Sequence, residues 1–170
     1  MIRVVFTGSE STGKSTLAAA VAQHYGVEVV PEFVRAFAEQ KGGVIEFSDH
    51  GAIARGQMAL EDEYRARASR LLIQDTDLLS TVAYCRHYFG RCPPWIEEAA
   101  VARRPELYAL CQTDVPWVPD GVRDRGHLRE EMQKLFEDAV TASGASCVSL
   151  YGPVQSRLKE VIRVIDEFLK

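Results

Sequence analysis

The sequence predicts an α/β fold, a five-stranded parallel sheet with helices on both faces, in a single domain over residues 1–170. Two observations carry this. Short apolar and β-branched runs alternate with longer helix-favouring segments, as in a parallel sheet whose strands are joined by helical crossovers. The first run, Ile2 to Phe6, leads into Gly8-Ser9-Glu10-Ser11-Thr12-Gly13-Lys14-Ser15. That is the spacing Gly, four residues, Gly-Lys-Ser of a phosphate-binding loop, which belongs between a strand and a helix.

The elements follow in order. Ile2 to Phe6 reads as a buried strand, and the Ala-rich segment from Ser15 to Tyr25 as a helix stopped by Gly26. Val27 to Val30 is a second strand. Pro31 opens a short helix that Lys41-Gly42-Gly43 breaks. Ser48-Asp49 caps a helix over roughly 49–68 that carries Ile53, Met58 and Leu60. Leu71 to Gln74 is a third strand ended by Asp75-Thr76-Asp77, and a helix over about 78–89 stops at Gly90. A turn at Arg91 to Pro94 precedes a short helix with Trp95 and Ile96. Leu107 to Cys111 is the fourth strand. Gln112 to Gly126, rich in Pro, Gly, Asp and Arg, reads as a long functional loop, with a lid over about 114–127. Residues 127–143 return to helix, Ala145 to Leu150 form the fifth strand, and Pro153 opens a final helix striped by Leu158, Val161, Ile162, Ile165 and Leu169.

Composition narrows the function classes. A formal net charge of −4 lacks the basic footprint of a nucleic-acid binder. No apolar stretch approaches ~18 residues, so no membrane span is expected, and the N-terminal apolar run is too short for a signal peptide. Cys85, Cys92, Cys111 and Cys147 contain no Cys-x-x-Cys pair and read as reduced structural cysteines of a cytoplasmic protein. His24, His50, His87 and His127 have no metal-ligand spacing. The chain contains no asparagine, which excludes an Asn-Lys-x-Asp guanine-reading motif.

The loop implies its own chemistry. Gly8 and Gly13 allow a tight turn, so that successive N–H groups face one concavity at a helix N-terminus and bind phosphate. Gly8, Ser11, Thr12, Gly13, Lys14, Ser15 and Thr16 are therefore candidate ATP contacts, with Lys14 reaching the β- and γ-phosphates and the Ser15 hydroxyl ligating Mg²⁺. Sites in such sheets lie past the carboxyl ends of the strands, which selects the remaining polar candidates. Asp75, after the third strand, suits the metal side beside Ser15. Asp77, two residues on, faces the same side if the chain stays extended, and is a candidate substrate contact and an alternative base. Glu32, after the second strand, is the preferred general base for an acceptor hydroxyl, with Arg35 one turn along to clamp substrate or hold Glu32. Arg123 and Arg125 in the lid can close over the nucleotide and stabilise charge on the transferring phosphoryl group, Arg123 as a candidate catalytic residue with Lys14, Glu32 and Asp75. Phe33, Phe37, Tyr64, Tyr84, Tyr88 and Trp95 are available to wall an acceptor pocket, Tyr64 and Tyr84 being the chosen contacts. Each of these residues also has a structural reading: helix caps for Asp75 and Asp77, a first-turn acid for Glu32, a solvated loop for the arginines, core for the aromatics.

Thr7 to Ser15, Pro31-Glu32-Phe33-Val34-Arg35, Asp75-Thr76-Asp77 and Pro116-Trp117-Val118-Pro119-Asp120-Gly121-Val122-Arg123 occur in that order. This set resembles the ribosylnicotinamide kinase domain of bacterial NadR proteins and their stand-alone relatives, over about residues 3–168. The resemblance implies a nucleoside-kinase-like P-loop NTPase fold. It also implies transfer of the ATP γ-phosphate, with Mg²⁺, to the ribose 5′-hydroxyl of nicotinamide riboside, giving nicotinamide mononucleotide. The chain departs from the family at two positions where aromatic residues stack on the nicotinamide ring, which here fall at Pro31 and at Glu63, beside Tyr64. A kinase for another nucleoside or vitamin-like alcohol, or a P-loop ATPase that switches a partner, are the alternative expectations.

Overall fold

The structure, a computed structural model, describes residues 1–116 and 128–170. In chain order the strands are β1 (Ile2–Thr7), β2 (Val29–Val30), β3 (Leu71–Asp75), β4 (Leu107–Cys111) and β5 (Ser146–Leu150). The helices are α1 (Lys14–Tyr25), α2 (Phe33–Lys41), α3 (His50–Arg67), α4 (Leu78–Phe89), α5 (Pro94–Ala102), α6 (Arg129–Ser143) and α7 (Val154–Leu169), with a 3₁₀ turn at Phe47–Asp49 before α3.

All strand pairs are parallel, in the order β2-β3-β1-β4-β5. β1 is central, and the chain crosses from it in both directions, first to β2 and β3 and later to β4 and β5. The strand order therefore reverses beside β1, where ligands of open α/β sheets bind. Alternation along β1 divides the core in two. Val4 and Phe6 face a layer made by Leu17 and Val21 of α1 with Val161 and Ile165 of α7. Val5, with Tyr108 and Leu110, faces Leu79 and Ala83 of α4 and Phe136 and Val140 of α6. A smaller cluster joins Ala54 of α3 to Leu78 and Val82 of α4 and Ile96 of α5.

The expected elements are all present, with ends adjusted by capping. β2 begins at Val29 because Gly26, at φ 65°, ends α1 and the Val27 N–H donates back to the Ala22 carbonyl, so Val27 belongs to the helix cap. The cap before α3 lies further back than Ser48-Asp49: the Glu46 N–H donates to the Asp49 carboxylate at 2.7 Å, and Lys41 joins both acids. The inner row of α3 also differs. It is His50, Ile53, Ala54, Gln57 and Glu61, so three polar side chains are buried, while Met58 and Leu60, expected there, are only half-buried. Among the described residues no helix is long and apolar enough to cross a membrane, and all four cysteines are free.

Candidate active site

Each strand ends at the same edge of the sheet, and the candidates collect there. β1 runs into the glycine loop, where Ser11 and Gly13 have φ of 53° and 84°. Gly8, at φ 128°, is placed by packing rather than by the cleft, since a Cβ on it would stand 2.6 Å from the Cys111 carbonyl oxygen at the end of β4. The loop is also braced from within. Thr12 Oγ1 and Lys14 Nζ both donate to the Ser9 carbonyl, at 2.8 and 2.7 Å. Lys14 is buried over its own loop, its ammonium drawn to that carbonyl.

A cleft of about 200 Å³ opens beside the loop, lined by residues 11–16 with Glu32 and Arg35. Glu32 is the N-cap residue of α2 but makes no capping bond with its side chain. Its carboxylate instead meets the Arg35 guanidinium at 3.5 Å, as the spacing of three predicted. Ser15 Oγ donates to Asp75 Oδ2 at 2.5 Å, joining the start of α1 to the end of β3. A hydroxyl and a carboxylate side by side are the hard oxygen donors that Mg²⁺ takes beside phosphate, so the pair fits that ion.

Asp77 is not a cleft residue. Thr76 lies between the two acids at φ 64°, an outlier for a β-branched residue. The chain therefore does not stay extended, and the two carboxylates turn apart. Asp77 caps α4, accepting from the Leu79 N–H at 3.0 Å and from the Tyr108 hydroxyl at 2.8 Å. Burial, with the Glu61 carboxylate nearby, pushes its pKa up to about 7. Arg3 and Arg103 complete this inner polar group: Arg103 donates to Glu61 at 2.9 Å, and Arg3 donates to Gln74 at 3.1 Å.

Tyr64 is likewise not brought to the cleft. The α2 start meets α3 at Gly56 and Gln57, where the Phe33 ring lies on Gly56 and the Gln57 amide oxygen accepts the Phe33 N–H at 3.0 Å. Tyr64 follows seven residues later, roughly 10 Å further along the helix. There it stacks under Arg67, which also pairs with Glu63 and with Glu28 before β2. Glu63 belongs to that same distant end. Tyr84 sits on α4, stacked on Tyr88 and edge-on to Phe136 of α6, beside the second core layer. Arg123, Arg125 and Trp117, and nearly all of the expected lid, lie outside the described residues.

Two side chains that hold the loop escaped the sequence reading. Gln133 of α6 accepts the Ser9 N–H at 2.9 Å and donates to the Cys111 carbonyl at 3.2 Å. Arg157 of α7, buried, donates to the Thr12 carbonyl at 2.8 Å. Both occupy inner rows of otherwise apolar helix faces, Gln133 with Phe136 and Val140, Arg157 with Val161 and Ile165. A polar residue at a core spacing was the available signal.

The family described as AAA domain matches residues 3–157. The chain belongs to this family. It is 33% identical over 173 residues to the trifunctional NAD biosynthesis/regulator protein NadR of Escherichia coli (strain K12). That alignment covers 98% of this chain and 42% of the relative, so the chain spans less than half of the NadR protein. The fold is similar to that of a NadR protein solved in complex with NR (TM-score 0.81, 19% identity, 99% of this chain and 49% of the other). The same holds for a NadR protein solved with NAD and AMP-PNP, at a TM-score of 0.80 and 19% identity, again over 99% and 49% of the two chains. It is similar too to thymidylate kinase from Ehrlichia chaffeensis (TM-score 0.74, 15% identity, 96% and 98% of the two chains). The resemblance to NadR read from the sequence and the P-loop kinase fold it implied are both borne out.

Proposed function

We propose that residues 1–170 form one ATP-dependent small-molecule kinase domain that phosphorylates nicotinamide riboside on its ribose 5′-hydroxyl, giving nicotinamide mononucleotide. The observation that carries this is one cleft lined by the phosphate loop with Lys14, by Ser15 and by Glu32, with Asp75 joined to it through its hydrogen bond from Ser15. NadR proteins solved with NR and with AMP-PNP supply the acceptor and nucleotide classes.

The roles follow from position. The loop N–H groups and Lys14 hold the nucleotide phosphates, and Lys14 stabilises charge on the transferring phosphoryl group. Its ammonium must leave the Ser9 carbonyl to do so. Ser15 and Asp75 would hold Mg²⁺, which when bound neutralises phosphate charge. Glu32 accepts the proton of the acceptor hydroxyl as that oxygen bonds to the γ-phosphorus and the bond to the β-phosphate oxygen breaks, releasing ADP. Arg35 holds the Glu32 carboxylate in place. Arg123 and Arg125 keep their reading as lid cations from the sequence alone. With ATP and a soluble nucleoside as substrates, a cytoplasmic setting is the consistent one.

One observation favours a second reading, a kinase for another nucleoside. The two family stacking positions are occupied by Pro31 and by Glu63, and Glu63 is engaged by Arg67 away from the cleft. A phosphoryl-transfer screen with ATP and Mg²⁺ against nicotinamide riboside, other nucleosides and thiamine separates the two. Preferred turnover of nicotinamide riboside is the expected result. Preference for another acceptor selects the second reading, and ATP hydrolysis without a phosphorylated product sinks both.

A further inference from the structure

Arg157 is 2% exposed, in the row of α7 that continues through Val161 and Ile165. A guanidinium there is held by acceptors on all sides. Nε donates to the Gly152 carbonyl at 2.8 Å, Nη1 to the Thr12 carbonyl at 2.8 Å, and Nη2 to the Gln112 carbonyl at 3.1 Å. Nη2 also meets the Asp114 carboxylate, which in turn accepts the Gly152 N–H at 2.6 Å. These acceptors follow three different strands, β1, β4 and β5. One buried fork therefore ties together three loops at the edge that carries the cleft.

The bond to Thr12 has a directional consequence. The structure contains no cis peptide among its described residues. In a trans peptide the carbonyl of one residue and the N–H of the next point in opposite directions. Arg157 holds the Thr12 carbonyl on the buried side of the loop. The Gly13 N–H is thereby turned to the other side, where Thr12 and Gly13 line the cleft. Gly13 precedes the first turn of α1, and N–H groups at a helix start have no acceptor within the helix. If the same peptide plane rotated, a carbonyl oxygen would replace an N–H donor in an anion site.

We propose that Arg157 is a positioning residue for nucleotide binding: it sets the Thr12–Gly13 peptide plane and through it aims the Gly13 N–H at a phosphate of the bound nucleotide. This rests on the reading of the cleft as a nucleotide site. Lysine cannot replace it fully, because an ammonium keeps the charge but lacks the planar fork that reaches several loops at once.

Titration calorimetry with tripolyphosphate and with ADP, on the wild-type chain, Arg157→Met and Arg157→Lys, tests this. Circular dichroism of each unliganded chain checks the fold. The expected result is roughly 10- to 100-fold weaker binding of both probes to Arg157→Met, the effect of a lost hydrogen bond to a charged group. Arg157→Lys falls between it and the wild type, and is the variant read if the Met chain does not fold. In turnover the KM for ATP rises while the KM for the acceptor stays unchanged, a split that a general loss of folded protein does not produce. Wild-type affinity for both probes in a folded variant overturns this inference alone. A wild-type chain that binds neither probe overturns the nucleotide reading and this inference with it.

Discussion

Ser15 and Asp75, 60 residues apart in sequence, meet through a 2.5 Å hydrogen bond from the serine hydroxyl to the aspartate carboxylate. β1 and β3 are neighbours in register, Phe6 opposite Asp75, so the end of one strand faces the start of the helix that follows the other. This pair is the proposed metal side of the site.

Replacing Asp75 by Asn keeps the shape and removes the charge. Turnover is expected to fall roughly 10- to 100-fold, the usual cost of disturbing a group that orients a metal. The Mg²⁺ concentration for half-maximal activity is expected to rise. A magnesium titration at saturating ATP checks this. An unchanged magnesium requirement would remove Asp75 from the metal side.

Glu32→Gln removes the proposed base and retains a polar side chain beside Arg35. A base acts on the chemical step, so kcat should drop by roughly 10²–10⁴ with little change in ATP affinity. Steady-state kinetics and ATP binding, measured on the same preparation, distinguish this from damage to the nucleotide site. If only ATP affinity changes, Glu32 is not the base.

Asp77 makes stability depend on pH. Its pKa is pushed up to about 7 in the folded chain, above the ~3.9 of an unfolded aspartate. The folded state therefore binds the proton more tightly. The stability this confers is full below about pH 4 and is lost as pH rises through 7. Asp77→Asn keeps an acceptor for the Leu79 N–H and carries no charge. Urea denaturation at pH 5 and pH 8 should show a smaller loss of stability for the variant than for the wild type. An equal loss in both would place the pH dependence on another group.

Gly8 and Gly13 need glycine for different reasons. At Gly13 a Cβ meets nothing within 4 Å, and the cost of Ala is the left-handed conformation alone, roughly 1–2 kcal/mol. At Gly8 the same strain is joined by a contact of 2.6 Å with the Cys111 backbone, which cannot swing away as a side chain can. Gly8→Ala should therefore destabilise the chain more than Gly13→Ala in urea melts. The reverse order would show that the β4 end moves freely.

The sequence by itself determined the order and type of the elements, the phosphate loop and the acids at strand ends. These are local properties: apolar runs, glycine spacing and capping residues act over a few neighbours, and strand ends follow from where the runs stop. It also named every residue that lines the cleft among those described. Only the tertiary structure decided which polar residues serve the site and which serve the core. Asp75 and Asp77 are equivalent by spacing, and the left-handed Thr76 between them sends one to Ser15 and the other to Tyr108. Tyr64 reads as an acceptor contact until α3 carries it past the contact with Phe33. Gln133 and Arg157, which the sequence reading passed over, stand at core spacings of their helices, and only the packing of those helices, more than a hundred positions beyond the loop, brings them to Ser9 and Thr12. The physical reason is common to all of them. A side chain's role here depends on backbone direction and on partners distant in the chain, and neither is expressed in the periodicity of its own segment.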